Sequence, residues 1–163
     1  MDKYQKSRKD KLFKSHPLDP YAMPLRPGGK ARCPQCGAAY HDGEWHWHSP
    51  TGPGHVESTV CPACRRIEDR AAAGQVRVSG RFLDSHEDEI RQLMQHTEQQ
   101  EKQTHVLERL IAIDRQQNEL VAMTTGTHLA NRIGHELEAA YDGHCSYQYS
   151  DSEVYLSVDW HRD

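Results

Sequence analysis

The chain has 163 residues, of which 36% are hydrophobic, and a mean hydropathy of -0.91. That is room for one ordinary domain or two small ones, with the apolar residues gathered in a few segments. No stretch approaches the roughly 18 consecutive apolar residues of a membrane span, and the N-terminal MDKYQKSRKDKLFKSHP has no apolar core of the kind a secretion signal needs, so the expected compartment is the cytoplasm. The net charge of -4 is unevenly divided: residues 1–32 carry nine Lys or Arg against three Asp, a charge of +6, which leaves -10 for the remainder.

From residue 1 to about 29, four prolines and a high charge density leave little periodic hydrophobicity. This composition reads as an extended basic arm that seeks a polyanion, or as a solubilising tail.

Residues 30–83 read as a small zinc-binding β-hairpin unit. Cys33-Pro-Gln-Cys36 and Cys61-Pro-Ala-Cys64 are two matched Cys-x-x-Cys knuckles, and in a reducing compartment such pairs suit a metal better than a disulfide. A structural zinc takes four deprotonated soft ligands in a tetrahedron, which two knuckles flanking a hairpin deliver. Alternatives are a redox pair, simple burial, or replacement of one cysteine by His41, His46, His48 or His55. Between the knuckles, Glu44–His48 and His55–Val60 are expected as strands joined by the breaker-rich 49–54 turn. Trp45 and Trp47 lie on one side of the first strand, either as the missing core of the unit or as a stacking platform for bases. After Cys64, residues 65–73 suit a short helix ended by Gly74, and 75–79 a strand.

Residues 84–163 read as an α+β domain. Ser85 and Asp88 have the spacing of a capping box for a helix with Ile90, Leu93 and Met94 on one face, running to about residue 102. Strands are expected at 106–114 and 119–125, joined by a polar turn. Thr127 is placed to cap a second helix with Leu129, Ile133 and Leu137 inward and Gly134 at a close contact. Alternating apolar residues then mark strands at 145–149 and 154–160, and Cys145 reads as a buried thiol. With the strand at 75–79, this gives two helices on one face of a mostly antiparallel sheet, a split βαβ-like arrangement.

No Gly-rich phosphate loop, Gly-x-Ser-x-Gly or His-Glu-x-x-His occurs, so the chain is not expected to be an enzyme. The expected nucleic-acid contacts are Lys3, Lys6, Arg8, Lys9, Lys11, Lys14, Arg26, Lys30 and Arg32, with Arg65 and Arg66 at the start of a helix where phosphate is easily met.

The run Cys61-Pro-Ala-Cys-Arg-Arg-Ile67, preceded by Cys33-Pro-Gln-Cys-Gly37 and followed by Thr124-Thr-Gly-Thr-His-Leu-Ala-Asn-Arg-Ile-Gly134, resembles the NMD family of adaptors of the large ribosomal subunit. That family carries further Cys-x-x-Cys pairs and domains, so this chain looks like a short relative with one four-cysteine set. The resemblance implies a zinc role for the four cysteines and binding to the large subunit or its rRNA. Expected roles are hibernation, stability or assembly of ribosomes. The other readings are a zinc-dependent protein-interaction module and an RNA-processing enzyme.

Overall fold

The computed structural model describes residues 20–21 and 29–163. Two sheets account for the fold, one on each side of the second cysteine knuckle.

The first sheet is built from four three-residue strands, β1 (Lys30–Arg32), β2 (Ala39–His41), β3 (Glu44–His46) and β4 (Val56–Ser58), in the order β3-β2-β1-β4. Strands β3 and β4 were expected to pair, but they lie at opposite edges. The hairpin is β2–β3, with Tyr40 opposite Trp45, while β4 runs parallel to β1. The reason is local: Asp42 and Gly43 both adopt positive φ, 54° and 81°, the two-residue turn that matches strand twist. The 49–54 segment instead forms a loop whose Thr51 and Pro53 carbonyls accept from Lys30 Nζ at 3.2 and 3.1 Å.

Helix α1 (Pro62–Asp69) starts inside the knuckle rather than after it. Cys61 is its N-cap, with Pro62 in the first turn, where the missing N–H costs nothing. The helix stops at Arg70 in left-handed geometry, well short of Gly74, which opens the next strand.

The second sheet holds β5 (Gly74–Ser79), β6 (Leu110–Gln116), β7 (Glu119–Thr124), β8 (His144–Tyr149) and β9 (Leu156–His161), in the order β6-β7-β5-β9-β8. All neighbours are antiparallel except β5 and β9. Helices α2 (Arg81–Thr104) and α3 (Thr127–Ala140) cover the face that carries Val76, Val78, Leu120, Leu156, Val158 and Trp160. Their own contribution to that core is Leu83, Ile90 and Met94 from α2, and Leu129, Ile133 and Leu137 from α3. This is the expected α+β architecture, and its period-2 and period-3.6 patterns are those read from the sequence.

The helix starts differ from expectation. Helix α2 begins four residues before Ser85, whose hydroxyl contacts Phe82 O and His86 Nδ1 rather than an amide at a cap. His86 (φ -129°, ψ 15°) interrupts the helix there, so the Ser85 signal marks a kink. Thr127 does not cap α3: the N-cap is Gly126, and the amide of Leu129 is satisfied by Glu108 Oε2 at 3.0 Å. A side chain at Gly126 would collide with that carboxylate, so glycine is required for the cap to be supplied from another segment. Gly134 is needed for approach, since a Cβ there would lie 2.8 Å from Tyr147 and 2.9 Å from Val158.

Strand β6 starts at Leu110, not at residue 106. Val106 and Leu107 face the cysteines and belong to the small apolar cluster of Cys33, Ala38, Cys61, Ala63 and Cys64. No helix among the described residues is long and apolar enough to cross a membrane.

Candidate metal centre

Cys33, Cys36, Cys61 and Cys64 converge, with their sulfurs all within 4.8 Å of one another. The turn from Cys33 to Ala38 is closed by Gly37 N to Cys33 O (3.0 Å) and Cys33 N to Ala38 O (2.8 Å). Its amide at Ala38 points at Cys36 Sγ (3.5 Å), and that of Cys64 at Cys61 Sγ (3.4 Å). Amides aimed at sulfur, the second set at a helix N-terminus, favour the thiolate form that a metal needs.

Cys36 Sγ and Cys61 Sγ are 3.8 Å apart. Four sulfurs at the zinc–sulfur distance of about 2.3 Å in a tetrahedron would be separated by about 3.8 Å, so the donor set fits a divalent metal of that size. Burial opposes ionisation at Cys33, yet amide bonds from Cys61, Cys36 and Gln35 outweigh it and draw the thiol down to about 7. Burial and the neighbouring sulfurs push Cys61 up, and Cys64 up to about 11. Four thiolates this close repel one another, and a bound cation is what would hold all of them deprotonated together.

Arg109 is the residue that sequence reasoning missed. It is 7% exposed, donates from Nη2 to Cys36 Sγ (3.3 Å) and from Nη1 to Cys64 Sγ (3.7 Å), and lies 5.0 Å from the Trp47 ring centre. Burial opposes its charge, but the hydrogen bond to Cys36 and the charges of Cys36, Cys61 and Cys64 raise its pKa. It would thereby offset part of the -2 charge that four thiolates would carry with a divalent ion bound. The available signal was Glu108-Arg109 interrupting an apolar run, since a charged pair inside such a run must find buried partners.

The Thr124–His128 stretch holds Arg109 in place. Thr125 Oγ1 donates to Leu107 O (2.6 Å) and accepts from Arg109 N (2.8 Å), and Thr125 N donates to Arg109 O (2.9 Å). Glu108 fills the space above Gly126, where burial raises its pKa. The Thr124–His128 stretch is therefore a clasp on the 105–109 loop, which delivers Arg109 to the cysteines.

The tryptophans part company. Trp45 is half-buried against the cysteine cluster, as core, whereas Trp47 lies beyond the end of β3, 39% exposed, and donates from Nε1 to Lys102 O (2.6 Å). His41, His46 and His48 form a separate group and supply no ligand to the cysteine cluster; His55 is in neither group. Cys145 is half-buried beside the main core, and burial raises its pKa.

Of the expected nucleic-acid contacts, Lys3, Lys6, Arg8, Lys9, Lys11, Lys14 and Arg26 lie outside the described residues. Lys30 is bonded into the 49–54 loop, and Arg32 donates to the Ser49 hydroxyl. Arg65 is exposed, but Arg66 is 7% exposed, donates to Ala71 O (2.9 Å) and stacks 4.3 Å from the Tyr21 ring centre. Arg66 therefore acts within the fold, where its guanidinium braces the end of α1. Compared with known proteins, the chain matches no family model, no curated protein and no solved structure.

Proposed function

We propose that this chain is a zinc-binding, non-enzymatic factor of the cytoplasm that associates with the large ribosomal subunit through rRNA. One structural zinc on Cys33, Cys36, Cys61 and Cys64 holds the first sheet together, and the basic arm supplies the affinity for RNA. The role within this reading is protection of idle ribosomes, stability or assembly. The observation that carries it is charge segregation: a segment of +6 joins directly to the four-cysteine unit, while the rest of the chain is acidic. The likeness to the NMD adaptors supports the same partner.

Binding by such an arm displaces counterions from the phosphates and weakens steeply with salt. If its seven Lys and Arg up to residue 29 each meet one phosphate, deleting residues 1–29 lowers the slope of log affinity against log salt by about 5–6. Gradient sedimentation of lysate at low and high salt, with the full chain and the shortened one, tests this. The expected result is comigration with large subunits or ribosomes that the shortened chain loses at lower salt. Failure of both to comigrate, in growing and starved cells, would reject it.

A second reading is a zinc-dependent protein-interaction module without ribosome binding. It is favoured by Lys30 and Arg66, whose cationic groups are spent on carbonyls of the fold. It expects arm-independent capture of one protein partner.

A further inference from the structure

Glu101 in the last turn of α2, His105 just beyond it and His128 in the first turn of α3 bring one carboxylate and two imidazoles together. We infer that these three residues form a second metal site, for a single first-row divalent cation with affinity for nitrogen and oxygen, such as zinc, cobalt or nickel. The inference is independent of the ribosome reading.

The donors converge on one point. Glu101 Oε2 lies 2.8 Å from His128 Nε2 and 3.9 Å from His105 Nε2, and the two rings are 4.5 Å apart. Metal–ligand bonds of about 2.0–2.1 Å in a tetrahedron separate their donor atoms by about 3.3 Å, between those two distances, so small side-chain rotations would seat an ion. Two imidazoles with one carboxylate is a ligand set that leaves positions open, in contrast to the closed sphere of four cysteines.

The supports are those of a built site. Arg132 Nε holds the other oxygen of Glu101 at 3.3 Å, which leaves Oε2 to face the histidines, and Arg132 is itself held by Glu136 at 2.7 Å. Such outer contacts fix the orientation of a ligating carboxylate. His105 belongs to the loop clasped by Thr125, and His128 follows the cap that Glu108 provides, so both backbones are fixed. The Glu101 side chain is 17% exposed and the histidines 33% and 31%, so the ligands are held while an ion and a water or oxygen ligand can still enter.

The other histidine group is a weaker competitor. In His41, His46 and His48, His41 Nε2 contacts His48 O (3.3 Å), His46 Nε2 contacts His41 O (3.2 Å), and His41 Nδ1 contacts Asp42 Oδ2 (3.1 Å). Three of its nitrogens are thus engaged by oxygens of the hairpin, although the three rings offer nitrogens within 4.8 Å of one another, and this group serves as the internal control.

The full chain, loaded with one equivalent of zinc, would be titrated with cobalt(II) and followed by calorimetry and visible absorption. The inference expects binding of one equivalent of cobalt whose spectrum lacks thiolate-to-cobalt charge transfer. H105Q and H128Q would abolish it or weaken it at least tenfold, R132A would weaken it by about tenfold, and H46Q would leave it unchanged. The thermal unfolding of each zinc-loaded variant reports folding, and if H128Q fails to fold, the partly exposed His105 carries the test. No cobalt binding beyond the cysteines, retention in H105Q, or loss in H46Q would each overturn the inference.

Discussion

The two sheets reach order by different means. The larger one buries a continuous cluster that includes Trp160, Met94, Ile90 and five leucines, all below 2% exposure, and it can hold itself together by apolar burial. The smaller one buries alanines and cysteines, with Val106 and Leu107 lent from another part of the chain and Trp45 at its margin. Strand β4 is exposed along its whole length. Three-residue strands around so small a core lack the apolar area to offset the entropy of ordering them. The four cysteines stand where a core would be.

Metal removal is expected to separate the two regions most. Structural zinc contributes about 10–16 kcal/mol of apparent binding free energy in small metal-organised units. Chelation, or Cys61→Ser, is expected to abolish amide-exchange protection across residues 30–70 while β5, β7 and β9 keep theirs. Equal loss in both regions would mean that they form one cooperative unit.

Ile133→Ala is the converse. It removes a fully buried side chain of α3 and should cost about 2–5 kcal/mol, measured by denaturant unfolding, with metal content unchanged.

Arg109→Met cuts a link between the regions. It deletes the donors to Cys36 and Cys64 and the Nε bond to Val106 O at 2.8 Å. Metal affinity should fall about 10–100-fold, as for other contacts that orient ligands, in a chelator competition assay.

The smallest effect is confined to the larger region. Glu87 accepts from Arg91 (3.1 Å) and Arg115 (3.0 Å), and these partners hold its carboxyl below the usual carboxylate range, Arg91 foremost. A folded pKa below the unfolded one gives stability that is present above the unfolded value and is lost as pH falls through the folded one. Glu87→Gln should therefore cost less than about 1 kcal/mol at neutral pH, and its difference from wild type should shrink in acid. A thermal melt series across acidic pH measures it.

Legibility in the sequence followed the same division. In the larger region, helices and strands were readable because its apolar residues recur at periods fixed by one buried face, as with Leu129, Ile133 and Leu137. What was not readable came from contacts between distant segments. The cap of α3 is Glu108, not the adjacent Thr127, and Val106 serves the cysteine cluster rather than its apparent strand. In the smaller region the four-cysteine cluster was plain from spacing alone, since two matched Cys-x-x-Cys knuckles flanking a hairpin bring their sulfurs together. The pairing of β4 with β1 was not, because strands of three residues leave too little pattern to set a register. Asp42-Gly43 was the turn signal that could have corrected it. Arg66 read as a surface cation because only its contacts with Ala71 and Tyr21 show that it is committed inside.

The most direct test of the four-cysteine zinc site is zinc-edge X-ray absorption on the full chain carrying one equivalent of zinc. Four sulfur ligands at about 2.3 Å and no nitrogen in the first shell are the expected result. A shell containing histidine nitrogen, or a well-folded chain with no affinity for zinc, would contradict it.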